Sequence, residues 1–322
     1  MLPQTPYICY GVGYPQRILT PVNRVLATIL AAALSLGAVA ADKPAAKARA
    51  SKAAHVVEIN NDDGSPILKS SGVLVLDSAT GHTLYSKNAD QSTPIASITK
   101  LMTAMVVVDS KLALDEALQI NDDDLDLVKN SRSRLPVGQH FRRDDLLRLA
   151  LMASDNRAAS ALGRNYPGGL PAFVGAMNAK ASLLGMNATH FVDSSGLAPG
   201  NVSNPADLGK LVAEASKYNL IREYSTTGAV DVTLPDSKRK LSFVNTNALV
   251  RGSDWQIGLS KTGYISESGK CLVMQAIIAN QPIVIVLLDS WGKLTRVADA
   301  QRIKKWLEKN PSKLVASPLR SG

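Results

Sequence analysis

The sequence predicts an α/β protein of the α+β type, in which a largely antiparallel sheet covered by helices is joined to a helical lobe. Strand-like apolar runs stand near both ends of the folded part, and nearly every apolar stretch between residues 112 and 218 has helical spacing. Composition agrees, because hydrophobic residues make up 45% of the 322 residues and charged residues 20%, as in a globular protein with a buried core.

The first predicted elements are a hairpin and a helix. Residues 72–77 form an apolar run typical of a buried strand, and residues 83–87 follow a turn as the returning strand. Over residues 95–108 the apolar spacing becomes helical, with Thr93 as the expected N-cap and Pro94 at the first helical position.

The remaining elements form two groups. Four helices are predicted at residues 144–152, 157–164, 170–184 and 205–217. Four strands are predicted at 230–234, 259–263, 272–279 and 282–288, followed by an amphipathic helix at 295–309. A ligand is expected between the helical lobe and the sheet.

The N-terminus predicts a secretory signal peptide over residues 1–41. Arg17 and Arg24 precede an uncharged apolar run that ends in small residues suited to cleavage. The run is short for a bilayer core of about 30 Å, so a retained membrane anchor is only the alternative. The remainder divides into a basic linker over 42–71, a unit of two lobes over 72–310, and a tail over 311–322.

Cysteine usage indicates the compartment. Cys9 lies in the leader, so Cys271 is the single cysteine of the exported chain and no internal disulfide is expected. An exported protein without disulfides fits a bacterial periplasm. Cys271 falls on a predicted core strand, where we expect a small buried hydrophobic side chain rather than a reactive thiol.

Several function classes find no support. The net charge is +9, but basic residues are dispersed among acidic ones and aromatic residues make up only 5%, so nucleic-acid binding is not expected. Zinc-binding spacings, a Walker loop and G-x-G-x-x-G are absent, so no metal or nucleotide cofactor is expected. The four histidines are widely separated, and although a Ser-His-Asp triad assembles in space, nothing favours one.

The strongest chemical signal lies at the start of the first predicted helix. Ser97 and Lys100 are three residues apart and share one helical face, about 5–6 Å apart at Cβ, so the amine can reach the hydroxyl. Lysine is a base only when neutral, so its pKa must be lowered by burial or by a neighbouring cation, for which Lys261 is the candidate. The same spacing at Ser237 and Ser290 falls in loops instead.

Two further motifs strengthen this signal. Ser154-Asp155-Asn156 lies in a short connection between predicted helices and supplies a hydroxyl and an amide; alternatively, Ser154 is only the N-cap of the next helix. Lys261-Thr262-Gly263 falls on a predicted strand. There the glycine permits close approach of a substrate backbone, and the lysine and threonine present a cation and a hydroxyl to a carboxylate.

These motifs, in this order on helix, loop and strand, resemble the signature of penicillin-binding proteins and serine β-lactamases. Residues 93–103 and 191–197 are similar to the low-molecular-mass D-alanyl-D-alanine peptidases, and among them to the D-alanyl-D-alanine endopeptidases of the penicillin-binding protein 7 type. The resemblance covers roughly residues 71–310. It implies a β-lactamase/transpeptidase-like fold with a five-stranded sheet.

The resemblance also implies chemistry. The expected substrate is a D-alanyl peptide bond of peptidoglycan, the expected inhibitors are β-lactams, and no cofactor is needed. Ser97 would form an acyl-enzyme after Lys100 takes its proton. Ser154 would relay a proton to the leaving amine, and Asn156 would orient Lys100 and bind the substrate amide.

The resemblance assigns the strand motif to binding. Lys261 and Thr262 would hold a carboxylate on the leaving side, and Gly263 would let the substrate backbone approach. The backbone N–H groups of Ser97 and Tyr264 would form an oxyanion hole, a device commonly worth about 3–4 kcal/mol.

Two departures from relatives narrow the activity: the first disfavours a β-lactamase, and the second favours an endopeptidase that acts on D-alanyl cross-links over a carboxypeptidase. Residues 157–213 contain no glutamate, so the deacylating glutamate of class A β-lactamases has no counterpart there. The last predicted helix ends close to residue 322, so we expect neither the additional β-rich domain nor the C-terminal anchor of the membrane-anchored carboxypeptidases. A DD-carboxypeptidase, a β-lactamase and a catalytically silent wall-binding protein are the alternatives.

Overall fold

The computed structural model describes residues 61, 64–127, 129–234 and 236–314. The predicted signal peptide and most of the predicted linker lie outside these residues. Within the part that is described, no helix is both long and apolar enough to cross a membrane.

The described chain contains eleven strands and seven α-helices. The strands are β1 (Ser70–Asp77), β2 (Thr83–Lys87), β3 (Thr93–Pro94), β4 (Ala117–Gln119), β5 (His140–Arg142), β6 (Val202–Ser203), β7 (Ala229–Thr233), β8 (Lys240–Val244), β9 (Gln256–Ile265), β10 (Gly269–Ile278) and β11 (Gln281–Ser290). The helices are α1 (Thr99–Asp109), α2 (Arg143–Met152), α3 (Asn156–Arg164), α4 (Gly169–Leu183), α5 (Pro205–Ala215), α6 (Asn219–Ser225) and α7 (Thr295–Lys309). Short 3₁₀ helices lie at Ala96–Ile98, Asp122–Asp124 and Pro311–Lys313.

Five strands form one antiparallel sheet in the order β2-β1-β11-β10-β9. The first and last thirds of the described chain therefore meet in the sheet, with Val75 opposite Ile285. Strand β9 lies at the edge and pairs only with β10, so its other side is open to the helical lobe. The five-stranded antiparallel sheet expected from the resemblance is confirmed.

The sheet has a hydrophobic core on each face. Because successive strand residues point to opposite faces, Leu74 packs with the helical lobe whereas Val73 and Val75 pack with α7. Strand β11 alternates in the same way, with Val286 on the lobe side and Ile285 on the α7 side. Burial on both faces explains why these strands read as continuous apolar runs.

Helix α1 is the central helix of the lobe and carries the beginning of the site. Nine of its eleven residues are buried, from Thr99 to Val107. A helix that is buried on all sides is surrounded by other elements, and the neighbours of α1 include α2, α3, α4 and α5. Burial on every side means that a polar group on α1 is also cut off from water.

The start of this helix differs from the prediction. Thr93 is not an N-cap, and Pro94 is not a helical residue, because both belong to β3, which pairs with β6. The Ile95 N–H bonds to the Asn201 carbonyl, and Ala96 has a positive φ of 48°. A helix that starts at residue 95 is therefore wrong, since pairing with a distant strand holds this segment extended until the 3₁₀ turn.

Other predicted elements lie close to the expected positions, and α7 spans the predicted residues 295–309. The strands β4, β5, β6 and β8 and helix α6 were not predicted, because all five are short and depend on tertiary partners. The predicted linker and tail boundaries also need correction. Leu68 and Leu314 are buried in the α7-side core and β1 begins at Ser70, so the folded unit extends beyond residues 72–310 at both ends.

Candidate active site

Ser97 lies in the 3₁₀ turn Ala96–Ile98, immediately before α1. This turn is held by a close backbone approach from a second loop. A Cβ on Gly196, which itself has a φ of +81°, would lie 2.0 Å from the Ala96 carbonyl oxygen. No larger residue fits at Gly196, and the positive φ of Ala96 stores strain directly beside Ser97.

Lys100 lies in the first turn of α1 and is fully buried. Its Nζ is 2.8 Å from Ser97 Oγ, 2.7 Å from Asn156 Oδ1 and 2.5 Å from the Ser195 carbonyl oxygen. A neutral amine has two N–H donors and one lone pair. Because Asn156 and Ser195 offer only acceptor oxygens, they take the two donors and leave the lone pair for the Ser97 hydroxyl proton.

Burial lowers the pKa of Lys100 from 10.5 to about 7, because the charged form cannot be solvated. The carboxylates of Asp193 and Asp155 oppose this effect by attracting the ammonium form. The sequence hypothesis named Lys261 as the cation that lowers this pKa. Burial was the other cause expected from the sequence, and the structure assigns the lowered pKa of Lys100 to burial rather than to Lys261.

The Ser195 carbonyl is presented by a loop that Asp193 holds together. The Asp193 carboxylate accepts hydrogen bonds from the backbone N–H groups of Ser195, Gly196 and Ala198, at 2.6–2.8 Å. Sequence reasoning used these residues only for the family resemblance and missed their place at the site. Any residue type can supply a backbone carbonyl, so the residue at position 195 does not indicate this role. The run Asp-Ser-Ser-Gly was the one sequence signal for this loop.

The Ser154-Asp155-Asn156 connection joins α2 to α3. Ser154 has a positive φ of 58°, and Asp155 rather than Ser154 is the N-cap of α3, since its side chain accepts the Ala158 N–H. The alternative that Ser154 serves only as an N-cap is therefore wrong. Asn156 accepts a hydrogen bond from Lys100 and donates one to Ser131 Oγ at 2.8 Å, which fixes the orientation of its amide.

Lys261 is a second buried lysine, with 1% of its surface exposed. Its Nζ donates to Ser154 Oγ at 2.8 Å and to the Thr262 carbonyl oxygen at 2.9 Å. Burial lowers the pKa of Lys261 well below 10.5, and the nearby cations Lys100 and Arg296 lower it further. Strand β9 thereby places its lysine against the serine of the second motif.

The rest of the strand motif borders Ser97. A Cβ on Gly263 would lie 2.9 Å from the Ile95 carbonyl oxygen and 3.2 Å from the Ser97 nitrogen, so glycine is what lets β9 approach the nucleophile turn. Thr262 Oγ1 lies 2.7 Å from Thr246 Oγ1, whereas the Tyr264 side chain points to solvent. The structure thus groups the eight predicted site residues around the Ser97 turn and the adjoining part of β9, and we call the space that they border the cleft.

Arg296 is a further cation that sequence reasoning missed. It lies half-buried in the first turn of α7 and is near enough to Lys261 to depress the pKa of that lysine. Its Nη1 is buried and has no hydrogen-bond partner among the described residues. An arginine at the start of a predicted surface helix gives no sequence signal, because its proximity to β9 depends on how α7 packs.

An ion pair joins the two walls of the cleft. Lys129 Nζ, on the loop that also carries Ser131, lies 2.7 and 2.8 Å from the two carboxylate oxygens of Glu267, on the turn after β9. This contact lowers the pKa of Glu267 to about 2. Beside it, residues 125–127 and 130–133 together with Arg157 line a cavity of about 380 Å³, so the lobe wall next to Asn156 is open to a ligand.

Cys271 lies on β10, fully buried, and is free. Burial raises the pKa of its thiol to about 11, so the thiolate is not formed near neutral pH. The prediction of a buried, unreactive cysteine is confirmed. Among the residues that the structure describes, no group of three or more His, Cys, Asp or Glu side chains is arranged to hold a metal ion.

Comparison with known proteins places this geometry in a family. The family model described as D-alanyl-D-alanine carboxypeptidase, of the S11 peptidases, matches residues 60–292. The chain belongs to this family. The resemblance inferred from the three motifs is confirmed, and the chain is a serine-type D-alanyl-D-alanine peptidase.

Relatives within the S11 family cover most of the chain. A D-alanyl-D-alanine endopeptidase of Pseudomonas aeruginosa is 49% identical over 75% of this chain and 78% of its own length. A D-alanyl-D-alanine endopeptidase of Escherichia coli is 45% identical over 76% and 78%. The crystal structure of the Streptomyces K15 DD-transpeptidase superposes with a TM-score of 0.70 at 31% identity, covering 75% of this chain and 97% of that one, which confirms the predicted fold.

Proposed function

We propose that this S11 peptidase is a DD-endopeptidase that hydrolyses D-alanyl cross-links in peptidoglycan through an acyl-enzyme on Ser97. The observation that carries the catalytic assignment is the position of Lys100 Nζ, 2.8 Å from Ser97 Oγ with both amine donors directed to carbonyl oxygens. The names of the P. aeruginosa and E. coli relatives support the endopeptidase activity.

Acylation begins with neutral Lys100. The Ser97 oxygen attacks the D-alanyl carbonyl carbon as its proton passes to Lys100 Nζ, and the carbonyl oxygen becomes an oxyanion. We assign the oxyanion hole to the backbone N–H groups of Ser97 and Tyr264. Gly263 supports this assignment, because its lack of a side chain brings β9 against the Ser97 nitrogen.

The leaving amine needs a proton as the carbon–nitrogen bond breaks. We assign its delivery to the Ser154 hydroxyl, which relays to the amine the proton that Lys100 took from Ser97 and so returns Lys100 to its neutral form. Ser154 Oγ lies within hydrogen-bond distance of Lys261 Nζ. Asn156 holds Lys100 through Oδ1 and has its amide nitrogen fixed by Ser131, so it borders both the base and the path of the substrate. With Lys100 neutral again, water attacks the ester carbonyl, Lys100 accepts the water proton, and that proton passes to Ser97 Oγ as the ester bond breaks.

A carboxylate of the substrate is assigned to the leaving side of the cleft. Lys261 and the Thr262 hydroxyl are the predicted partners, and we add Thr246 and Arg296 to the proposal. Thr246 is 2.7 Å from Thr262, and the buried Arg296 Nη1 has no partner in the described residues. An unpaired buried guanidinium donor is costly, and a bound carboxylate would satisfy it.

The substrate places the reaction outside the cytoplasmic membrane. We therefore propose a periplasmic location, which the predicted export signal in residues 1–41 supports. β-Lactams are the proposed inhibitors, since they acylate the same serine, and neither cofactor nor nucleic acid enters the reaction.

Chromatography of purified muropeptides after incubation tests the proposal. Cross-linked dimers should disappear, and Ser97→Ala should leave them intact. Loss of terminal D-alanine alone would instead assign a DD-carboxypeptidase, the activity in the name of the Streptomyces K15 relative at 34% identity. Intact mass after benzylpenicillin treatment tests the remaining alternative, because a catalytically silent wall-binding protein would show no adduct on Ser97.

A further inference from the structure

Three large apolar side chains stand in solvent at the end of the sheet that carries the active site. Trp291 is 79% exposed, Leu294 is 68% exposed and Tyr264 is 61% exposed. An isolated exposed leucine needs no explanation, whereas grouped exposed aromatic residues mark interaction surfaces. We call Tyr264, Lys270, Trp291, Lys293 and Leu294 the end-of-sheet surface.

The strand register brings these residues together. Lys270, at the start of β10, lies opposite Tyr264 of β9 and opposite Ser290 of β11. Trp291 follows Ser290 directly, and its carbonyl accepts a hydrogen bond from the Thr295 hydroxyl in the tight turn into α7. The ends of β9, β10 and β11 therefore present this surface at one edge.

The charge of this surface is positive. Lys270 Nζ lies 4.1 Å from the centre of the Tyr264 ring, so a cation is held over an aromatic face, and Lys293 is exposed on the turn beside Trp291. The nearest acid on the β9–β10 turn, Glu267, is already paired with Lys129. A partner that fits the end-of-sheet surface therefore has flat apolar faces and carboxylates.

The surface is continuous with the cleft. Tyr264 directly follows Gly263, and its backbone N–H is the proposed second donor of the oxyanion hole. Arg296, which borders Lys261, lies two residues after Leu294 on the same turn into α7. A polymer whose peptide lies along β9 would therefore extend over Trp291.

We propose that the end-of-sheet surface binds a glycan chain of peptidoglycan next to the peptide being cut. The apolar face of a pyranose ring stacks on the Trp291 indole, and carboxylates of the polymer lie against Lys270 and Lys293. This inference rests on the proposed function, since that function makes the polymer the substrate. It adds a site for the sugar chain that the peptide-cutting residues do not supply.

Co-sedimentation with insoluble peptidoglycan tests the surface. Trp291→Ala should weaken binding by about tenfold, as expected when a central aromatic anchor is removed. The matched control is Leu183→Ala, which removes an 87% exposed side chain at the end of α4 and should leave binding unchanged. Equal binding by Trp291→Ala and the wild type would overturn the proposal, as would an equal loss in Leu183→Ala.

Soluble substrates separate this inference from the proposed function. Trp291→Ala should acylate with benzylpenicillin and cut a soluble cross-linked muropeptide dimer at wild-type rates, while its turnover of insoluble peptidoglycan falls. If the wild-type enzyme does not cut the soluble muropeptide dimer, the proposed function is wrong. The co-sedimentation experiment still shows whether the end-of-sheet surface binds peptidoglycan. Two other outcomes would assign another occupant to the surface and overturn the proposal. One is that the protein itself dimerises with rising concentration in size-exclusion chromatography, and the other is that it floats with anionic lipid vesicles, provided that Trp291→Ala abolishes the effect.

Discussion

The pH dependence of acylation provides the sharpest test of the buried base. With the pKa of Lys100 at about 7, half of the enzyme carries neutral Lys100 at pH 7. The neutral fraction falls to about 1% at pH 5 and rises to about 90% at pH 8. The second-order rate constant for acylation should therefore fall about 50-fold from pH 7 to pH 5 and level off above pH 8.

An ordinary lysine would give a different profile. At a pKa of 10.5, less than about 0.1% of Lys100 would be neutral at pH 7, and the rate would rise about tenfold per pH unit to pH 10. Stopped-flow acylation with a fluorescent penicillin, at constant ionic strength, distinguishes the two. If the logarithm of the acylation rate constant rises with pH at a slope of one through pH 9, the idea that burial has made Lys100 a base at neutral pH is refuted.

A charge variant gives an internal control for this experiment. Asp155→Asn keeps the acceptor for the Ala158 N–H and places an amide beside Ser133, but removes a negative charge that raises the pKa of Lys100. The midpoint of the profile should move to lower pH. Asp115→Asn removes an exposed carboxylate elsewhere and should leave the midpoint in place; a shift to higher pH in Asp155→Asn would contradict the assigned electrostatics.

Three substitutions extend the test. Lys100→Ala should abolish acylation with the fold retained, and a normal adduct rate in intact-mass kinetics would remove Lys100 from the mechanism. Lys261→Ala should raise KM for substrates with a leaving-side carboxylate more than it lowers thermal stability; equal KM values for substrates with and without that carboxylate would contradict the role. Gly196→Ala should destabilise the protein by about 3 kcal/mol or more, because its Cβ would lie 2.0 Å from the Ala96 carbonyl oxygen; an unchanged urea midpoint would show that the turn can move.

Much of the fold could be predicted from local patterns. The strands near both ends of the described chain are buried on two faces, so their continuous apolar runs were visible, and α7 repeats its apolar face over fifteen residues. Segments with weak local preference were missed. Thr93 and Pro94 read as a helix start, yet pairing with β6 holds them extended, because a contact more than one hundred residues away outweighs a capping preference.

The identities of the proposed reacting groups were determined by the sequence. Ser97 and Lys100 share a helical face by spacing alone, Ser154 and Asn156 flank a helix start, and Lys261 lies on a strand with Gly263 two positions on. Covalent spacing fixes which chemical groups exist and which neighbours on one element can meet. It therefore supported a serine acyl-enzyme with a lysine base.

The properties of these groups were decided by the tertiary structure. The pKa of Lys100 is low because helices surround α1, and its lone pair is free for Ser97 because the carbonyl of Ser195, from a loop ninety-five residues away, takes one of its protons. Arg296 reaches the site only because α7 packs beside β10 and β11. Solvation and distant contacts are set by packing, and packing is a property of the whole chain rather than of any local stretch of sequence.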